Sequence, residues 1–408
     1  MARPQALPIL PVNILYLCHR IPYPPNKGDK IRAFHQIQYL AKRHRLHVAC
    51  LIDAEEDRAH VAHLTPLCAS LDTAWRGGLA PKLRAAGALL GGGSLSVAAF
   101  HVPELERRVA RRLESEPIDV AIVFSSQMGQ YVSPEAPYPT IVDFVDVDSE
   151  KWRDYAERSR WPLSWLYRAE AARLGQYERA LARRHEESVF VAENEADLFR
   201  TSAGGVRARA IPNGVDLEYY RRRSGDRGAA PNLVFVGMMD YFPNVDAVVW
   251  FVEEILPLVR KDHPDAMLRI VGRNPTRRVL SLGRHPGVRV VGGVADVRPY
   301  LVDAAVSVAP FRIARGLQNK VLEAMAMEVP VVGTPFAFQG ITATPDDGIR
   351  RAEDPASFAR TVSDLLRDPN LRAEMGLRGR SFVERHHRWQ DHGQALEKLL
   401  NEVVERRR

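Results

Sequence analysis

The chain has 408 residues, of which 46% are hydrophobic and 26% charged, and a formal net charge of +7. That length exceeds a typical single core and suits two domains, while the composition excludes both a fibrous repeat and an intrinsically disordered chain. The basic balance is compatible with phosphorylated, anionic-lipid or nucleic-acid partners, but the arginines are dispersed (Arg107, Arg108, Arg111, Arg112, Arg183, Arg184) and no zinc-finger, RNA-recognition or homeodomain pattern occurs, so no nucleic acid is expected.

From the N-terminus, Met1 to Pro8 lacks the apolar run of a secretory leader, and no stretch reaches eighteen uninterrupted apolar residues. The three cysteines, Cys18, Cys50 and Cys68, show neither C-x-x-C spacing nor a nearby histidine cluster. A cytoplasmic protein without a metal site is expected. Strand-like runs follow at Ile14 to Leu17, Leu46 to Ile52, Val120 to Phe124, Thr140 to Phe144 and Val189 to Ala192, alternating with helical patterns. This alternation predicts stacked βαβ units with a parallel sheet.

A basic, Gly-containing stretch, Arg221 to Ala230, interrupts the series, which restarts at Leu233 to Val236, Leu268 to Val271, Val288 to Val291, Ala305 to Ala309 and Val329 to Val332. The reading is therefore α/β: a first Rossmann-like domain over 1–216, a linker over 217–231, and a second Rossmann-like domain over 232–385. A terminal helical segment over 386–408 carries Leu396, Leu399, Leu400 and Val403 at helical spacing, and packing back on the first domain is one option. Two doubly wound domains facing across a cleft suit transfer between two bound substrates. A nicotinamide dinucleotide is not expected, because the first βα turn, Cys18 to Lys30, holds one glycine, Gly28, and no G-x-G-x-x-G.

The most informative segment runs from Ala309 to Ala326. A buried strand ends near Pro310, a polar turn carries Arg315 and Gly316, and a helix starts at about Leu317. Free N–H groups and the helix dipole favour a diphosphate there, beside Asn319, and Lys320 adds a charge. Glu323 shares a face with Lys320 and offers an acceptor to ribose hydroxyls. The bland alternative is an exposed i,i+3 ion pair contributing a few tenths of a kcal/mol.

On these residues the sequence resembles the retaining glycosyltransferases of family 4. The matching stretches are Phe235-Val236-Gly237, Ile270-Val271-Gly272-Arg273, Val291-Gly292-Gly293-Val294, and Leu322-Glu323-Ala324-Met325-Ala326 before Pro330. Tyr241 to Ala247, Ala314-Arg315-Gly316 and Asp146 to Trp152 look like the subgroup associated with exosortase, or PEP-CTERM, exopolysaccharide loci. The resemblance implies a GT-B fold and a nucleotide-diphosphate sugar as co-substrate. It also implies Glu323 on the donor ribose, Lys320 on the diphosphate, and the Gly292 to Val294 loop beside the base. Two positions depart from the family pattern: Arg315 stands where the signature has its first Glu, and Met238 and Met239 stand where a basic residue often follows Gly237. Arg273, Arg312 and Arg315 are the candidates for the phosphate cation.

In the first domain, Pro24 to Arg32 links the first strand to the first helix, and in the family this turn lies near the reacting sugar and the acceptor. Gly28 admits close backbone approach. Lys27, Lys30 and Arg32 are either acceptor-phosphate contacts or solvated surface charge. Asp146, after a buried strand, is a candidate for deprotonating an acceptor hydroxyl, with a helix-start role for Asp148 or Ser149 as the alternative. Two basic stretches are candidates for peripheral membrane contact: the Leu105, Val109, Leu113 stripe, and Trp161 with Trp165 amid Arg158, Arg160 and Arg168. The expected function is transfer of a sugar to a saccharide or lipid-linked acceptor. A nucleotide-sugar 2-epimerase and a weakly catalytic binding subunit are the alternatives.

Overall fold

The computed structural model describes residues 11–222 and 231–407. Met1 to Pro8 and most of the expected linker, 223–230, lie outside the described residues. The chain divides into two compact units, one of 1–211 with 390–408 and one of 212–389.

The first unit holds a seven-stranded sheet. Its strands are β1 (Asn13–Cys18), β2 (Arg45–Ile52), β3 (Ser70–Trp75), β4 (Val120–Phe124), β5 (Thr140–Val145), β6 (Glu187–Phe190) and β7 (Ala208–Ala210), in spatial order β3-β2-β1-β4-β5-β6-β7. All pairings are parallel. The interior strand β4 is apolar on both faces, as a sheet covered by helices on both sides requires, and β5 departs from this at Thr140 and Asp143. One face packs Ile14, Tyr16, Val48 and Ile122 against Ile37 and Leu40 of helix Gly28–Leu40. The other packs Leu15, Leu17 and Val123 against Leu105 and Val109, so the Leu105 stripe is core.

The second unit holds a six-stranded sheet. Its strands are β8 (Asn232–Val236), β9 (Met267–Val271), β10 (Val288–Gly292), β11 (Val306–Ala309), β12 (Val331–Gly333) and β13 (Ile349–Arg351), in spatial order β10-β9-β8-β11-β12-β13, again parallel throughout. Strand order therefore reverses between β1 and β4 in the first sheet and between β8 and β11 in the second. The crevices for ligands open beyond the C-terminal ends of those strand pairs.

The helix Trp389–Arg407 belongs to the first unit from Gln390 onward. Leu396, Leu399, Leu400, Val403 and Val404 join the β1–β2 core, where each buried aliphatic contributes about 1.5–3 kcal/mol. Tyr39 Oη donates to Glu397 (2.9 Å) and Arg406 pairs with Glu187 (2.9 Å). The first domain ends earlier than the sequence reading placed it, because residues 212–222 pack on the second unit: Val215 N donates to His387 O (2.8 Å), and Arg222 reaches Val302 O (2.6 Å).

Candidate functional site

At the switch point of the second sheet, β8 runs into Gly237 and β11 into Pro310. Gly272, just past β9, approaches Gly237 so closely that a Cβ on it would lie 1.6 Å from the Gly237 carbonyl oxygen. Only glycine fits. Gly272 N in turn donates to Gly292 O (2.8 Å), so the β8, β9 and β10 ends are drawn together, with Arg273, Gly293 and Val294 on their rim. On the β11 side, Gly316 takes a left-handed φ of 62° and turns the chain into the helix Asn319–Ala326, whose N-cap is Gln318. The helix begins two residues later than expected, which puts Lys320 within its first turn.

Lys320 spans the two sides. Its Nζ donates to Asn244 Oδ1 (3.0 Å) from the β8 side and stands over the rings of Phe311 (4.6 Å) and Phe235 (5.7 Å). Desolvation pulls its pKa down to about 8, with Glu323 opposing the shift. Glu323 is pushed up to about 7 by burial, against the Lys320 charge and a hydrogen bond from Tyr220. Both groups are half-buried and driven toward neutrality. An exposed ion pair would carry neither shift, so the bland reading does not describe this pair.

Tyr220 reaches Glu323 because Arg380 clamps the chain behind it, donating to Leu217 O (3.1 Å) and to Ala326 O (2.9 Å) at the end of the same helix. Asn319 Oδ1 accepts from buried Asn213 Nδ2 (3.0 Å), and Asn213 O accepts from His387 Nδ1 (2.9 Å). Arg312 pairs with Asp246 and lies over Trp250, so its charge is already engaged. Arg315 is half-buried, and its carbonyl is held by Gln318 Nε2 (3.1 Å).

Residues 230–368 match the family described as "Glycosyl transferases group 1". A GDP-mannose-dependent alpha-(1-6)-phosphatidylinositol monomannoside mannosyltransferase of Mycolicibacterium smegmatis is 29% identical over 241 residues, 52% of this chain and 61% of that protein. A GDP-mannose-dependent monoacylated alpha-(1-6)-phosphatidylinositol monomannoside mannosyltransferase of Corynebacterium glutamicum is 27% identical over 213 residues, 47% of this chain and 55% of that protein. The matches thus span little more than half the length of these relatives. Among solved structures, sucrose-phosphate synthase of Thermosynechococcus elongatus superposes with a TM-score of 0.73 at 16% identity, covering 97% of this chain and all of that one. Anabaena Alr3699/HepE in complex with UDP-glucose gives 0.69 at 13%, covering 96% and 100%. The fold is GT-B.

The remaining candidates belong to the first unit of this GT-B chain. Lys27 is the N-cap of helix Gly28–Leu40 without a side-chain capping bond, and Gly28 is the helix's first residue. Lys30 and Arg32 are not solvated. Lys30 is buried with both Asp57 oxygens at 2.9 Å, and fully buried Arg32 donates to Asp143 (2.8 Å) and Ile211 O (2.8 Å). Helix geometry turns both inward, so neither is free to meet an acceptor phosphate.

Asp146 follows a bulge at the end of β5, where Val145 has φ 70°. A β-branched residue in that region stores about 1–3 kcal/mol of strain. One Asp146 oxygen pairs with Lys151 (2.8 Å), and the other is shut from solvent with no partner among the described residues. Neither Asp148 nor Ser149 caps the following helix Asp148–Arg158: Val147 is the N-cap, and Ser149 Oγ bonds to Glu178, whose pKa burial and the neighbouring Asp148 charge raise to about 8. Trp161 and Trp165 are exposed. Among the described residues no group of three or more His, Cys, Asp or Glu is placed to hold a metal ion.

Sequence reasoning missed Asn213, Tyr220 and Asn244. Asn213 falls at the end of the span read as the first domain and Tyr220 in the span read as linker, where no site residue was sought, and Asn244 in a segment used only for its resemblance. It also missed His19 at the β1–β4 switch point, stacked on Phe124 (5.9 Å) and bonded to Asp29 (3.1 Å).

Proposed function

We propose that the chain is a glycosyltransferase that takes a nucleotide-diphosphate sugar as co-substrate and moves the sugar, with retention, to a saccharide or lipid-linked acceptor in exopolysaccharide assembly. The Lys320–Glu323 pair carries this reading. An ammonium and a carboxylate held at the switch point, and shifted toward neutrality by desolvation, are an unfavourable arrangement until a ligand completes it. A diphosphate supplies the anion for Lys320, and ribose hydroxyls supply donors for Glu323.

In this reading Asn319, Gly316 and the first free N–H groups of helix Asn319–Ala326 receive phosphate oxygens, with Arg273 and Arg315 adding charge. The Gly237 and Gly293–Val294 turns border the nucleoside. Asp146 accepts the acceptor hydroxyl's proton as the new O–C1 bond forms and the nucleoside diphosphate departs, and the Lys27–Gly28 turn borders the acceptor. No metal is called for, because cations of the chain serve the phosphates. The relatives named for GDP-mannose and phosphatidylinositol mannosides favour a lipid-linked acceptor, and hence work in the cytoplasm at the inner face of a membrane. Among the described residues no helix is long and apolar enough to cross one.

The test is a donor panel, including GDP-mannose and UDP-glucose, with release of nucleoside diphosphate measured first without acceptor and then with a lipid extract. Turnover of one donor supports the reading. Neither binding nor release with any donor would refute it; an epimeric nucleotide sugar as product would instead establish a 2-epimerase, and binding without turnover a non-catalytic subunit.

A further inference from the structure

The turn that follows β8 brings no cation of its own to the switch point of the second sheet. Residues 237–244 contain no Lys, Arg or His, and their one carboxylate, Asp240, accepts from Asn274 Nδ2 (2.9 Å). What the turn supplies is Asn244, which is 3% exposed. Its side-chain Nδ2 donates to Met238 O (2.8 Å), and its backbone N donates to Tyr241 O (3.0 Å). Gly237 packs so closely on it that a Cβ there would stand 2.8 Å from Asn244 Nδ2. With the amino end of the amide committed to a carbonyl, this network fixes the oxygen end as well. That oxygen faces Lys320 Nζ at 3.0 Å.

An ammonium has three hydrogens to place. Besides Asn244, the described residues offer Lys320 a longer contact to Gln318 Oε1 (3.5 Å) and the faces of buried Phe311 and Phe235. Glu323, one turn along the same helix and bonded by Tyr220, is the carboxylate that bears on it, and burial drives that carboxylate toward neutrality. The amide oxygen of Asn244 is therefore the strongest neutral acceptor the charge has. It also sets direction, because a lysine stem is flexible and the Asn244 side chain is locked at its other end.

We propose that Asn244 is a positioning residue of the donor site: its amide oxygen keeps Lys320 protonated and aimed across the switch point, so that the β8 turn acts on the diphosphate through the Lys320 cation. The proposal rests on the nucleotide-sugar reading, yet its first test uses no nucleotide, so its failure and the failure of that reading are distinguishable.

In that test the lysine Cε resonances of the full chain are titrated by carbon NMR without ligand, Lys320 being assigned as the resonance lost in Lys320→Met. Lys320 should titrate at about 8. Asn244→Leu removes the acceptor and should move that titration down by about one pH unit, whereas Asn244→Asp puts a carboxylate in its place and should move it up by about as much. Loosened packing alone does not give shifts of opposite sign. If Asn244→Leu fails to fold, the upward shift in Asn244→Asp carries the test. Calorimetry then compares GDP and UDP with guanosine and uridine. At pH 8, Asn244→Leu should bind the diphosphates about fivefold more weakly, because fewer Lys320 side chains are protonated. Asn244→Asp should weaken them across the whole pH range, because its carboxylate repels the phosphates, and neither variant should alter nucleoside binding. An unmoved Lys320 titration, shifts of the same sign, or equal weakening of nucleoside and diphosphate would overturn the proposal. No nucleotide binding by the unmodified chain would refute the donor reading, while the ligand-free titration still decides whether Asn244 governs Lys320.

Discussion

If Lys320 and Glu323 hold the nucleotide sugar as proposed, its binding should be bell-shaped in pH. In that proposal the productive form has Glu323 ionised to accept from ribose and Lys320 protonated to meet the diphosphate. Glu323 titrates near 7 and Lys320 near 8. The fraction in that form is about 0.6 near pH 7.5 and about 0.1 at pH 6 and at pH 9, so affinity should fall about sixfold on either side. On the acid limb Glu323 takes up a proton; on the alkaline limb Lys320 loses one. Calorimetry with an intact nucleotide sugar is the assay, because its phosphates carry no proton that titrates in this range, whereas a terminal phosphate titrates near 6. Glu323→Gln should weaken binding and remove the acid limb, and Lys320→Met should remove the alkaline limb. A flat profile between pH 6 and 9 in the unmodified protein, or limbs that persist in the two variants, would refute the reasoning.

Tyr220→Phe removes a hydrogen bond that holds the Glu323 pKa down, so the acid limb of the same profile should move to higher pH. For stability the sign is fixed by the raised Glu323 pKa: its contribution is complete below 4.5 and is lost as pH rises through about 7, a change of up to about 3 kcal/mol. In the absence of donor, Glu323→Gln should therefore raise the melting temperature at pH 8, which replacing one partner of an exposed ion pair would not do. If Arg315 supports the diphosphate, Arg315→Glu should lower turnover more than Arg315→Gln, since only the former adds a negative charge beside the phosphates; turnover at or above the original level in Arg315→Glu would end that role. Asp143→Ala strands the Arg32 guanidinium and also removes the acceptor of Gln36 Nε2 (2.8 Å); a loss of about 3–5 kcal/mol in denaturant unfolding is expected.

The sequence by itself determined the two parallel sheets and the segment of the second on which the proposed site rests. Interior strands such as Val120 to Phe124, apolar on both faces, and Leu46 to Ile52, apolar but for His47, are bounded by turns, so their pattern needs no partner to be read. Three strands escaped that reading: Ser70–Trp75, Ala208–Ala210 and Ile349–Arg351 all lie at sheet edges, where they are short or mix polar with apolar residues. Lys320 and Glu323 were legible because helix spacing puts i and i+3 on one face. Only the tertiary structure decided that desolvation governs the pair and that Asn244 and Tyr220, 76 and 103 residues away in the chain, bear on it. It likewise turned Lys30 and Arg32 from surface charge into buried partners of Asp57 and Asp143, and returned the last helix to the first domain. The physical reason is the same in each case: local spacing fixes which face a side chain occupies, while the charge and solvent it meets there are set by elements arriving from distant parts of the chain.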